Sequence, residues 1–420
     1  MKRLQFRCLS VLFLVFSLLL VGVLPGFAKA EGNLVIAGRD GGYGKALELA
    51  VRMFKAANPG VEIEQLKLPY GSLYEKLVIS FREESGAYDL VMLDDTWATE
   101  YMANGWLLDL ETTGFRVGDD FISTALSVGR YPYKSGSLYA LPIVGNVELF
   151  AYRKDLFNKY GLGEPKTWLD VLEAAVKIDT SERDVAGVVF RGTKGNPIVT
   201  GFLPILWGFG SRVVDDKGGS GLNSPNALAA LTFFLKLKRY APQGVELYNS
   251  SEVRDALQQG DVAIAIEVWP AWIPSLDDPK VSKVVKKIEI QAAPGLISGP
   301  SPMLGAWLMG VAEDSKNRDM AVEFLQFLTS PKIQKQIALE VGIPPTRASV
   351  YKDSSLVEKY RWYPSQLKAL EDAHPRPRIT KWSEVEAILG DYLQLALTGS
   401  LAPEKALGEA NERISAVLSR

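Results

Sequence analysis

The chain has 420 residues, of which 47% are hydrophobic and 23% charged, with a formal net charge of −2. That length exceeds one ordinary core and predicts two or three domains, while the balanced composition excludes disorder, low complexity and a solenoid or propeller repeat. A single histidine, His374, excludes a histidine-rich metal centre, and no EF-hand spacing marks a calcium loop.

Lys2, Arg3 and Arg7 form a basic start, Leu9 to Leu24 is almost wholly apolar, and Ala28-Lys29-Ala30 closes the run with small residues. This pattern predicts a secretory signal peptide over residues 1–30, cleaved after Ala30, rather than a membrane anchor, which needs about 20 apolar residues. Cys8 leaves with it, so the mature chain has no thiol to oxidise outside the cytoplasm. Beyond residue 30, 43 basic residues stand against 49 acidic ones, a net of −6 without the basic footprint that nucleic acids require.

Leu34-Val35-Ile36-Ala37 reads as a short strand, and a glycine-dense loop, Gly38 to Gly44, opens a helix with an apolar stripe from Ala46 to Ala57. Asn58-Pro59-Gly60 stops that helix. The loop is not a Walker motif, because Arg39 stands where its first glycine belongs and Ala46 lacks the metal-binding hydroxyl. It is either a plain strand-to-helix turn or a place where backbone N–H groups, Asp40 and Tyr43 meet a polar ligand. Val61–Glu64 alternates as a strand does, Leu73–Phe81 as a helix, and Tyr88–Leu93 reads as a buried strand ending at Asp94-Asp95, ahead of Trp97. Strand–helix alternation argues for α/β sheets, whose ligands sit beyond the carboxyl ends of strands. One aspartate of the pair is expected to cap the next helix and the other to face a ligand. Trp97 reads as a ligand contact or as core.

The stretch from Leu138 to Trp168 carries two apolar runs, Tyr139–Val144 and Val147–Tyr152, separated by Gly145-Asn146. Proline is tolerated at strand edges and ends, so the run holding Pro142 and the run after it fit two different sheets. The chain is therefore expected to cross between domains here, with Asn146 facing the space between them and Glu148 facing either that space or the surface. Helices follow over Leu156–Gly161 and Trp168–Lys177, a strand over Gly187–Phe190, and an apolar helical segment over Gly201–Gly210 that holds Trp207. Val262–Ile266 is a buried strand that delivers Glu267, Trp269 and Trp272 to its carboxyl end. Such a cluster exceeds what core filling needs, since a buried Trp must also satisfy its N–H. Pro302, before the pair Gly305-Ala306 and Trp307, and Pro344-Pro345 predict a second and a third crossing.

Taken together, these residues resemble the family 1 extracellular solute-binding proteins, the carbohydrate-capturing components of ATP-driven importers, and most of all their maltose/trehalose-type members. The resemblance spans the mature chain. It rests on Asn58-Pro59-Gly60, Gly105–Leu110, Tyr139–Pro142, Tyr152–Phe157, Pro165–Trp168, Ser224–Ala227, Leu304–Trp307 and Arg376-Pro377 in order and spacing. It implies a type II periplasmic-binding-protein fold: two α/β lobes, joined by three crossing segments, with a ligand cleft between them. The expected lobes are residues 31–143 with 305–343, and 144–304 with 344–420. The resemblance also implies a non-enzymatic, extracytoplasmic monomer that closes on a di- or oligosaccharide and delivers it to the permease subunits of an ABC importer, with no cofactor or metal.

Matched motif by motif, Asp94, Trp97 and Asp40 become first-lobe sugar contacts, Asn146 the contact at the first crossing, Trp269 and Trp307 stacking aromatics, and Arg376 a contact near the third crossing. Tyr43, Asp95, Glu148, Trp207, Glu267, Trp272 and Ala306 complete the candidate set. Ala271 stands where some maltose/trehalose binders carry an aromatic, and Ala306 replaces the second glycine of the usual pair. The alternatives are a secreted glycoside hydrolase, for which the sequence offers no pair of separated carboxylates, and a binder of a non-sugar solute.

Overall fold

A computed structural model describes residues 32–420; the expected signal peptide lies outside the described residues. Eleven strands occur among these: β1 (Gly32–Arg39), β2 (Val61–Leu68), β3 (Leu90–Asp94), β4 (Arg130–Tyr131), β5 (Ser137–Leu138), β6 (Ala140–Val144), β7 (Leu149–Arg153), β8 (Ala186–Val189), β9 (Val262–Val268), β10 (Ile288–Ala292) and β11 (Trp307–Val311). They form a five-stranded sheet in the order β2-β1-β3-β11-β6, a four-stranded sheet in the order β10-β7-β9-β8, and the small pair β4-β5. Each large sheet is mixed. In the first, β11 runs antiparallel to both β3 and β6; in the second, only β8 and β9 are parallel. No helix among the described residues is long and apolar enough to cross a membrane.

Local chemistry accounts for the main elements. The strand β9, Val-Ala-Ile-Ala-Ile-Glu-Val, is buried throughout because it is flanked on both edges, which suits a near-continuous apolar run. The helix Ser250–Gln259 that feeds it starts at a capping box formed by Asn249 and Glu252. It ends at Gly260, whose φ of 80° supplies the left-handed C-cap that glycine adopts without steric cost. A second capping box, Thr167 with Asp170, opens the helix Trp168–Ser181. Pro142 lies inside β6 rather than at a strand end, and it is tolerated because β6 is the edge of its sheet.

The chain passes from the first sheet to the second between β6 and β7, at Gly145–Glu148. The segment Met303–Gly305 runs back beside it: the Glu148 N–H donates to Met303 O at 2.8 Å and the Gly305 N–H to Asn146 O at 3.1 Å. At Pro344-Pro345 the chain lies beside the first crossing, where the Thr346 hydroxyl donates to Pro142 O at 2.8 Å and the Gly145 N–H to Pro344 O at 3.0 Å. By Arg361, whose guanidinium donates to Ile288 O at 2.7 Å, it reaches the second sheet. The segment that lies against Met303 is Ala373–Arg376, with His374 N–H donating to Pro302 O at 2.9 Å and Leu304 N–H to His374 O at 2.8 Å. Prolines have no N–H to offer a partner strand, and Pro344 serves here as an acceptor for Gly145.

Candidate functional site

The space between the two sheets holds a cavity of about 280 Å³. Its first wall comes from the carboxyl ends of β1 and β3, which bring up Arg39 and Asp94, and from Trp307 at the start of β11. Register dictates this grouping, since Trp307 pairs with Asp94 on one side and Val144 on the other. Tyr43, in the first turn of the helix Gly41–Ala57, packs on Trp307 with ring centroids 5.5 Å apart. Tyr70 closes this wall, its ring 5.9 Å from Trp307 and its hydroxyl 3.3 Å from Asp94 Oδ2. The Arg39 guanidinium lies 5.4 Å from the Trp307 ring and 5.5 Å from the Tyr70 ring, within cation–π range.

The second wall is built from the four-stranded sheet. The chain leaving β8 presents Arg191, the helix Asn196–Gly208 presents Asn196 and Thr200, and the end of β9 presents Trp269 and Trp272. Arg191 is anchored from below by Glu267. Its backbone N–H donates to Glu267 Oε1 at 2.6 Å, its Nε donates to Oε2 at 2.9 Å, and a guanidinium N–H also reaches the Thr200 hydroxyl. The guanidinium sits 5.6 Å from the Trp269 ring centroid. The floor is the junction itself: Asn146, whose amide donates to the Tyr43 hydroxyl at 2.9 Å, and Gly305. A Cβ on Gly305 would fall 2.6 Å from the Trp269 ring, so glycine is what lets the indole lie against the crossing strand.

Arg376 closes the rear. Its guanidinium meets Asp94 Oδ1 at 2.7 Å, Asp95 Oδ1, and Glu386 at 4.0 Å. Burial alone would favour losing its proton, but the three carboxylates outweigh that and keep it charged. Asp94 combines two tasks: its Oδ1 also caps the helix Asp95–Ala103 by accepting from the Thr96 N–H at 3.1 Å, and the residue lines the cavity. Burial pushes the Asp95 carboxyl up to about 7, against the opposing pull of Arg376 and Arg378. Burial likewise raises the Tyr43 hydroxyl to about 12, which keeps it a neutral donor and acceptor.

Of the residues singled out from sequence, Tyr43, Asp94, Asn146, Trp269, Trp272, Trp307 and Arg376 meet at this cavity. The others are placed elsewhere. The Asp40 side chain is half exposed and lies 3.5 Å from Arg39. Asp95, Glu148 and Glu267 are completely buried beneath the walls, and Ala306 and Trp97 are buried too, the latter in an aromatic cluster with Tyr70, Tyr74 and Trp307. Strand parity accounts for Ala306, because its neighbours Gly305 and Trp307 take the cavity side. Trp207 packs on His374, ring centroids 5.8 Å apart, in a wider groove of about 860 Å³ on the far side of Arg376. Arg39, Tyr70, Arg191, Asn196, Thr200 and Ser250 line the cavity without having been singled out for it. Among the described residues no group of three or more His, Cys, Asp or Glu comes together as a metal site.

Glu148 stands out at the first crossing: neither carboxyl oxygen has a partner. Burial raises its pKa well above the ordinary carboxyl value and nearby Glu267 adds to the shift, with Arg191 and Arg376 opposing. A native pKa above the unfolded one means that the folded state holds the extra proton, so stability falls as pH rises from about 4.3, the ordinary glutamate value. Glu148→Gln removes that cost. Its melting temperature is expected to match the parent at pH 4 and exceed it by about 2 °C or more at pH 8. A calorimetric scan showing equal midpoints at both pH values would contradict this.

A two-sheet protein whose cavity lies at the junction, with aromatic faces and hydrogen-bonding groups from both sides, is built as a binding protein that encloses a small polar solute. The chain belongs to the bacterial extracellular solute-binding protein family, whose pattern matches residues 40–335. It is similar to the ribitol complex of an ABC transporter solute-binding protein from Agrobacterium radiobacter K84. That similarity has a TM-score of 0.83 and 29% identity, and covers 92% of this chain and 99% of the other. It is similar to maltose-bound MalE3 of T. maritima at TM-score 0.81 and 29% identity, over 92% and 99%. Among curated sequences it is 26% identical to the probable amino-acid ABC transporter periplasmic-binding protein y4oP of Sinorhizobium fredii, over 90% of this chain and 87% of that one.

Proposed function

We propose that this solute-binding protein captures a carbohydrate outside the cytoplasm by closing two lobes over it, and hands it to the permease of an ABC importer. One lobe is the five-stranded sheet with its helices; the other is the four-stranded sheet with the helices from Trp382 onward. The hinge is the junction at Gly145–Glu148, Met303–Gly305 and Pro344-Pro345, with Ala373–Arg376 beside it. The observation that carries this reading is the pairing, in one cavity, of indole faces with bidentate polar groups contributed from both sides. Flat aromatic faces pack the C–H face of a sugar, while Asp94, Asn146 and Arg376 match its hydroxyls, and a charge-assisted bond contributes about 1.5–3 kcal/mol. Contacts made to both lobes at once exist only when they are closed, and such differential contacts are what shift an open–closed equilibrium. A shift from mostly open to mostly closed needs about 5.5 kcal/mol, which several such bonds plus stacking supply.

Tryptophan fluorescence titration with sugars tests the reading. Trp269→Ala is expected to weaken sugar binding roughly tenfold to hundredfold through lost apolar burial; an unchanged affinity would overturn the stacking role. Prolonged incubation with oligosaccharides is expected to leave them intact, and turnover would replace the binder by a hydrolase.

A further inference from the structure

We infer that the ligand is a single uncharged polyol unit, a monosaccharide or a sugar alcohol of similar length, and that Arg376 sets this limit by walling the cavity off from the groove behind it. The inference rests on the carbohydrate reading above and narrows it, replacing the di- or oligosaccharide expected from sequence.

Size comes first. At about 280 Å³ the cavity falls just below the roughly 300–1,000 Å³ of pockets that hold drug-sized ligands. A neighbouring groove of about 860 Å³, lined by Trp207, His374 and Arg212, has room for a second sugar ring. Arg376 belongs to the walls of both spaces, so the passage from one to the other runs through its side chain. That side chain is not a movable gate. It is only 3% exposed and is held by Asp94, Asp95 and Glu386, so swinging it aside would leave buried carboxylates without a counter-charge.

Charge comes second. Each arginine at the cavity already faces a carboxylate: Arg376 meets Asp94 and Asp95, Arg191 meets Glu267, and Arg39 meets Asp40. An anionic ligand would compete with these pairs. The neutral lining groups point instead to hydroxyls. Tyr43, Tyr70, Asn146, Asn196, Thr200 and Ser250 bring hydroxyls and amides to the cavity. A hydroxyl both donates and accepts, so one kind of group can pair with all of these, whereas a carboxylate or phosphate oxygen only accepts. Leaving these groups unpaired is what would make the site reject a ligand without hydroxyls.

Isothermal titration calorimetry of the purified protein against ribitol, mannitol, a ketohexose, maltose, maltotriose, gluconate and a neutral amino acid tests the inference. The expected result is one-to-one binding of a single-unit polyol at least 100-fold tighter than either malto-oligosaccharide, and tighter than gluconate. Maltose binding as tightly as the best single unit overturns the size limit while leaving the carbohydrate reading standing. Tighter gluconate binding overturns the neutral class. Binding of the amino acid alone overturns the carbohydrate reading itself. Two variants test the wall. Arg376→Lys keeps the charge but shortens the barrier, and should narrow the preference for single units over maltose at least tenfold; an unchanged preference removes Arg376 from that role. Trp207→Ala, in the outer groove, should leave polyol affinity unchanged, and a tenfold loss would show that ligand reaches past the wall.

Discussion

Replacing Arg376 with methionine is expected to cost about 3–5 kcal/mol of stability at pH 7.5 and to abolish ligand binding. Methionine fills a similar volume, so the loss is electrostatic rather than a cavity effect. Asp95 would keep only Arg378, whose Nη1 lies 3.6 Å from Asp95 Oδ2, and Asp94 would keep only hydrogen bonds from Thr96 and Tyr70. The pH dependence carries the diagnostic sign. With Arg376 present the Asp95 carboxyl is already raised to about 7, and its removal pushes buried carboxyls further up. A native pKa above the unfolded value means stability returns as protons are added, so the deficit shrinks on going from pH 7.5 to pH 5. Urea unfolding followed by tryptophan fluorescence measures both points. A deficit below about 1 kcal/mol, or one that grows on acidification, would sink the account.

The cluster around Arg376 shows how far the sequence reached. Asp94, Asn146 and Trp269 could be picked out because each follows a recognisable run of buried strand residues, and polar or aromatic side chains at such ends have little other reason to cluster; Trp307 could be picked out from the Pro302 break and the small pair Gly305-Ala306 before it. The first crossing was readable for a similar reason: Gly145-Asn146 breaks two apolar runs. Arg191 was not readable, because an arginine just past a short strand looks like surface until Glu267, 76 residues away, is seen beneath it. Glu267 misled for the converse reason, since strand position alone cannot say that a carboxylate faces inward to hold an arginine. Trp207 lies at the far end of a helix whose first two turns, at Asn196 and Thr200, face the cavity. One helix therefore serves two spaces, and its composition does not say which residue faces which. The segment Ala373–Arg376 beside the crossing was not legible because it has no apolar run; its pairing with Pro302 and Leu304 is purely backbone.

Arg191→Met is expected to lower stability by about 3 kcal/mol and ligand affinity about tenfold, and the two losses separate cleanly. The stability loss stems from Glu267, completely buried and left beside Glu148, which has no partner of its own. It should sit at the lower end of the range for broken buried pairs, because the backbone N–H of residue 191 still donates to Glu267 Oε1. The affinity loss has a different origin: without the guanidinium, the Trp269 ring loses the cation that holds one side of it. Adding Glu267→Gln to the variant removes the stranded charge, so the double variant should regain most of the stability. It should regain none of the affinity, since a neutral amide beneath the wall does nothing for the indole. Urea unfolding and calorimetric titration of the two variants measure these effects side by side. If affinity recovers along with stability, the arginine merely holds the fold and the indole needs no help. If only stability recovers, the Arg191–Glu267 pair is a support built to present Trp269 to the ligand, and its burial is the condition for a rigid stacking face.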